Sequence, residues 1–192
     1  MASNVTDELS PRARQIVTAA RELLEQGGVQ ALSMRHLADR LGIRASSIYK
    51  HFQNKEALEA VLISIGFQEQ AALFETALEA SGKRLTAIVE GYRAWAHSNP
   101  QLYRLINDGP INRSLLFPGS EDSVVTPVVR AAGGDRDLAR AAWAFAHGMT
   151  ALELNRRFPD DADLEAVWER GVTALEPSAR QANNRTSESK PT

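Results

Sequence analysis

Apolar positions recur along this chain at helical spacing, and glycine or proline separates one such stretch from the next. Ile16, Val17, Ala20, Leu23 and Leu24 fall on one stripe of a helix that Ser10 can cap, with Pro11 first, where a missing N–H costs nothing. Gly27-Gly28 ends that helix, because glycine takes a left-handed backbone cheaply. A short helix follows over 33–41, with Ser33 as its cap and Leu37, Ala38 and Leu41 inward; Gly42 breaks it. A third spans 44–52 and buries Ile48 and Phe52. Asn54 then caps a long fourth that runs toward Ala80 and closes at Gly82.

The same grammar predicts helices over 84–98, 101–107, 126–132, 136–158 and 164–175, the fourth of these capped by Asp135. Asn99-Pro100, Gly109-Pro110, Pro118-Gly119, Gly133-Gly134, Pro159 and Pro177 punctuate them. No segment alternates with period two, so the fold class is all-α, with no sheet. The segment 107–123 reads as a long loop. Residues 1–10 read as a flexible lead-in, and 177–192, which lack apolar periodicity, as a disordered tail.

Composition narrows the classes. The 192 residues are 43% hydrophobic and 24% charged, an ordinary globular balance. The longest apolar run, over 60–67, is broken by Ser64 and Gly66 and is too short to span a membrane. The first nine residues carry two acids and none of the features of a secretory signal. Zero cysteines exclude disulfides, thiolate metal sites and a cysteine nucleophile. The expectation is a cytoplasmic protein without membrane contact, metal or cofactor.

Net charge is only −2, but its distribution is uneven. Over 33–55, Arg35, Arg40, Arg44, Lys50 and Lys55 face the single acid Asp39, whereas 61–192 hold 14 Lys/Arg against 17 Asp/Glu. A basic patch on a mildly acidic body suggests one surface that meets a polyanion. The patch coincides with two short helices joined at Gly42, the arrangement of a helix-turn-helix, whose second helix fits a DNA major groove. With Leu37, Leu41, Ile48 and Phe52 inward, Ala45, Ser46, Ser47 and Lys50 point outward. Small residues allow close approach, serine hydroxyls donate or accept, and an alanine methyl can meet a thymine methyl. Tyr49, His51 and Lys55 supply donors where phosphates would run, and Ser33 can serve another phosphate.

The run SMRHLADRLGIRASSIYKHFQNKEAL resembles the DNA-binding domain of the tetracycline-repressor (TetR) family. That family's pattern is a capping Ser or Thr, an amphipathic helix, a Leu-Gly-Val turn, a recognition helix ending Tyr-x-His-Phe, then Lys-Glu-x-Leu. Ser33, Leu41-Gly42-Ile43, Tyr49-Lys50-His51-Phe52 and Lys55-Glu56-Ala57-Leu58 match these parts, within a resemblance covering about residues 12–60. It implies phosphate contacts from Tyr49, His51 and Lys55, base reading around Arg44–Ser47 and by Lys50, and double-stranded DNA as partner. Arg35 joins the same basic surface. Many members carry Ser or Thr where Arg44 stands. Arginine is a poor cap but pairs bidentately with guanine or phosphate, and both roles stay open.

The resemblance further implies a helix-turn-helix domain over 11–55 and a ligand-binding and dimerisation domain over 56–176. It makes the expected protein a repressor released by a small effector, binding an inverted-repeat operator as a homodimer. The helices over 136–158 and 164–175 are the expected dimer elements, and the helix starting at Lys55 the expected lever. Trp143 to Gly148 (WAFAHG) is similar to a Trp-to-His-Gly motif in one subset of the family's C-terminal domains. Trp95, Tyr103, Ile106, Phe117 and Trp143 are candidates for an apolar effector pocket, with His97, Asn107 or His147 as polar contributors; core packing is the competing reading. Two other classes compete with this one: a helical adaptor for acidic partners, and a small enzyme using His97 or His147. No hydrolase, metalloprotease, P-loop or dinucleotide motif occurs, and the chain is expected not to be an enzyme.

Overall fold

The structure, a computed structural model, describes residues 4–80 and 84–176, and among these every regular element is helical. The predicted closure at Gly82 and the predicted tail over 177–192 lie outside the described residues. The α-helices are α1 (Val5–Glu8), α2 (Pro11–Ala31), α3 (Met34–Leu41), α4 (Ala45–Ile48), α5 (Lys55–Ala80), α6 (Arg84–Ser98), α7 (Pro100–Asn107), α8 (Ser120–Ala131), α9 (Arg136–Leu154) and α10 (Leu164–Leu175), with a 3-10 turn at Arg113–Leu115.

Several boundaries differ from the sequence pattern, each for a local reason. Residues 1–10 were expected to be flexible. Val5–Glu8 instead form a helical turn capped by Asn4, with Val5 buried and its N–H donating to Gln68 Oε1 at 3.0 Å. Gly28 takes φ 69° as expected of a helix stop, but one further turn follows before Leu32. α4 is one turn rather than the nine residues predicted, its C-terminal side continued by N–H bonds from His51 and Phe52 to the Ile48 carbonyl. α8 starts at Ser120, six residues before the predicted 126–132, because Gly119 (φ 78°) turns the chain and Glu121 and Asp122 suit a first turn; Pro127 lies inside it. α9 ends at Leu154. Arg156 adopts φ 50°, and the N–H groups of Arg156 and Arg157 return to the carbonyls of Glu153 and Leu152.

The described residues divide into two compact units, one within Met1–Ala71 and Ser98–Val124, the other within Ala72–His97 and Val125–Thr192. The expected domain boundary after residue 55 falls inside the first of these units. α7 belongs with the first unit because Glu25 of α2 accepts from the Gln101 and Leu102 N–H groups that begin it. Arg21 adds bonds to Glu69 and to Asn99 Oδ1. α7 also lies hard against α5: a Cβ on Gly66 would come within 2.8 Å of Ile106 Cδ1. The core of this unit is Ile16, Leu24, Leu37, Ile48, Phe52, Leu58, Leu62 and Leu102.

The second unit packs α6, α9, α10 and the last turns of α5. Leu85, Ile88, Val89, Ala142, Ala146, Trp168 and Val172 are buried. Gly171 permits α10 to approach α9, since a Cβ there would fall within 2.2 Å of the Phe145 ring. At the centre is Glu153, its side chain only 4% exposed. It accepts from Arg93 Nε and Nη2 (3.1 and 2.8 Å) and from Trp168 Nε1 (2.7 Å), and His97 Nε2 stands 2.8 Å away.

α5 is long and apolar enough to cross a membrane by length and composition, but 56% of that window is buried within the protein.

Candidate nucleic-acid interface

Ser33 sets the geometry of the two short helices. Its Oγ accepts from the His36 N–H at 3.1 Å and caps α3. Gly42 closes α3 in the left-handed region (φ 63°), with Ile43 N–H returning to Ala38 O. No described atom lies within 4 Å of a Cβ placed on Gly42, so its dihedral angle, rather than crowding, favours glycine there. The buried Leu37, Ile48 and Phe52 then tie α3 and the α4 turn to the core.

That packing turns a cationic surface outward. Arg35, Arg44, Ser46, Lys50 and His51 are exposed, and Tyr49 is 51% exposed, a large apolar ring held in solvent. Ser33, Ala45, Ser47 and Lys55 are half-buried. Among the described residues, Arg35, Arg44, Lys50 and His51 make no ion pair and no side-chain hydrogen bond. Arg40, in contrast, pairs with Glu22 and fastens α3 to α2.

Lys55 differs from the simple expectation of a free phosphate donor. Its Nζ donates to the Val29 carbonyl at 3.0 Å and sits 3.3 Å from Glu59. The ammonium thus braces the turn after Gly28 as well as standing at the start of α5. Glu25, which caps α7, and Glu153, which gathers Arg93, His97 and Trp168, carry no local sequence signal, since their partners are remote in the chain.

The six effector candidates are not gathered in one unit. Tyr103, Ile106 and Phe117 belong to the first, Trp95, Trp143 and His147 to the second. Trp95, Tyr103 and Ile106 are buried, Phe117 is half-buried, and Trp143 is 52% exposed and stacks on His147. Of the other polar contributors, His97 faces Glu153 and Asn107 Nδ2 donates to Tyr103 O. The first unit has an open cleft of ≈ 390 Å³ walled by Glu59, Ala60, Ile63, Arg104 and Leu116; none of the six candidates lines it. Ser64 Oγ accepts from the Phe117 N–H at 3.1 Å and ties residue 117 to α5.

Two family models match this chain. Residues 16–60 match that of the bacterial regulatory proteins of the tetR family, and residues 85–175 that of the tetracyclin repressor-like C-terminal domain. The chain belongs to the TetR family. The HTH-type transcriptional regulator Rv1816 of Mycobacterium tuberculosis is 27% identical to it over 122 residues, 61% of this chain and 52% of the relative. The match thus spans about half the length of that curated relative. The class A tetracycline repressor from transposon 1721 of Escherichia coli is 46% identical over 43 residues, 22% of this chain and 20% of that one. The structure of the regulatory protein SCO4313 superposes with a TM-score of 0.72 at 22% identity, covering 85% of this chain and 94% of its own. The multidrug binding protein EbrR, complexed with imidazole, gives 0.63 at 23% identity over 88% and 92%. Likeness at these identities shows the fold, and this TetR-family chain shares it.

Proposed function

We propose that this TetR-family protein is a transcriptional repressor that binds an inverted-repeat operator as a homodimer and leaves it when a small effector binds. The observation that carries the reading is the outward surface of α3 and α4, where exposed cations without internal partners surround small polar residues. Phosphates would neutralise Arg35 and His51, Tyr49 would donate its hydroxyl, and Ser46, Ser47 and Lys50 would face base edges. Lys55 would share a phosphate while keeping its bond to Val29. Such a protein acts where its DNA lies, in the cytoplasm. The adaptor and enzyme readings have no observation that favours them over this one.

Dimerisation is supported by the surface of the second unit. Trp143, Leu152 and Val167 are its large exposed apolar residues on α9 and α10. Gly148 lies on the same stretch of α9, and no described atom is within 4 Å of a Cβ placed there. Glycine inside a helix costs about 1 kcal/mol relative to alanine, and no described residue packs close enough to repay it; close approach of a second copy would. The proposal keeps this half in the Trp-to-His-Gly subset on the Trp143 to Gly148 run itself, whose Trp143 and His147 rings stack. Replacing Trp143 by glutamate is expected to halve the sedimenting mass from twice 21.0 kDa to 21.0 kDa. An unchanged dimer would place the interface elsewhere.

Effector binding is supported by relatives whose structures hold small molecules: EbrR with imidazole and a tetracycline repressor variant from Acinetobacter baumannii with minocycline. Release from DNA would follow from a coupling free energy between effector site and head, each ligand favouring a different dimer geometry. A protection footprint on the DNA upstream of the protein's own gene tests the whole reading. Two protected patches on one face of the duplex, centred about one helical turn or a multiple of it apart, are expected. Protection spread evenly along the fragment would oppose it.

A further inference from the structure

We infer that Arg44 is a specificity-determining residue, its guanidinium reading a guanine in each operator half-site, and that the protein forgoes a helix cap to place it there. This rests on the DNA-binding reading above and assigns one side chain a base.

Five α-helices in this protein start on a side-chain cap, and α7, whose N-cap Asn99 makes none, has its first N–H groups taken by Glu25 instead. Asn4, Ser10, Ser33, Asp135 and Asp163 each accept a backbone N–H at the N-cap position. Arg44 occupies the same position of α4, with the extended backbone of a cap (φ −77°, ψ 141°), yet makes no capping bond. Arginine has no acceptor with which to make one. A residue that is locally unfavourable and gains nothing inside the fold points to a role outside it.

What the side chain offers is a planar fork of donors, exposed and without an internal partner among the described residues. The fork matches the O6 and N7 acceptors on the major-groove edge of guanine. Position selects the base over a phosphate: residues at the start of a recognition helix face base edges. Ala45, Ser46 and Ser47 follow immediately, so nothing bulky holds the start of α4 away from the groove. Of the other unpaired cations, Arg35 lies on α3 and Lys50 beyond the end of α4, so neither occupies the start of the recognition helix. The contact belongs to the guanidinium, not to the N–H groups of the one-turn helix.

Arg44→Ser separates the two roles, because serine caps helices and cannot form the fork. Selection from random duplexes, run on wild type, Arg44→Ser and Arg44→Lys, is the experiment, with thermal unfolding alongside. Wild type is expected to enrich one guanine per half-site with about 5- to 150-fold discrimination at that pair. Arg44→Ser should lose that preference, keep the rest of the motif and melt about 2–4 °C higher. Arg44→Lys should retain only part of it. A uniform loss of affinity for all sequences, or a guanine that persists in Arg44→Ser, overturns the assignment while leaving DNA binding intact. No enriched motif for wild type overturns the DNA reading itself.

Discussion

Replacing Glu153 by alanine is expected to cost the second unit about 3–5 kcal/mol, the range for breaking a buried ion pair from one side. The carboxylate is the shared acceptor for Arg93 and Trp168, and His97 stands beside it. Arg93 keeps Glu165 at 2.7 Å, but the buried Trp168 Nε1–H is left without this acceptor. Urea unfolding followed by tryptophan fluorescence reads the loss. A change under 1 kcal/mol would mean that solvent already serves these donors.

The same cluster gives stability a pH dependence. Burial pushes the Glu153 pKa up, but the hydrogen bonds from His97, Trp168 and Arg93, and the Arg93 charge, outweigh it and hold the carboxyl below its ordinary value. Its folded pKa is therefore lower than its unfolded one. The stabilisation is complete above the ordinary carboxylate range and is lost as pH falls through the folded value. Wild type should lose stability more steeply on acidification than Glu153→Gln, which has no carboxyl to protonate.

The second large effect is expected from Phe52→Ala, at about 3–5 kcal/mol for removing a buried phenyl ring. Phe52 is 5% exposed and sits where α4 gives way to the turn before α5. Its loss should unfold the first unit at lower denaturant and abolish operator binding, although the ring itself faces away from the groove. Tyr49→Ala, three residues earlier, removes a ring that is 51% exposed and should leave stability within about 0.5 kcal/mol while weakening binding to all duplexes. If both variants unfolded alike, the inward and outward assignment of this turn would be wrong.

The DNA-facing half was largely legible because its signals are local. Ser33 as cap, Gly42 as stop, and Ile48 and Phe52 as inward residues can each be read from a few neighbours. The extent of α4 could not, since a helix of one turn has no period to detect. Membership of α7 in the first unit depends on Glu25 and Gly66, which meet it from far along the chain. The Glu153 cluster assembles residues 93, 97, 153 and 168, a spacing no sequence motif records. Aromatic composition alone does not separate pocket from core either: Tyr103 is 2% exposed and Trp143 is 52% exposed, yet the sequence offers both as candidates on equal terms.

The central claim is that a polyanion with a particular base sequence covers the α3–α4 surface. Equilibrium affinity for the duplex selected by this protein, and for a shuffled duplex of the same composition, measured across a salt series, tests it most directly. The expected result is a steep fall of both affinities with salt, with the selected duplex bound at least 10³-fold more tightly throughout. Equal affinities for the two duplexes at every salt concentration would contradict it.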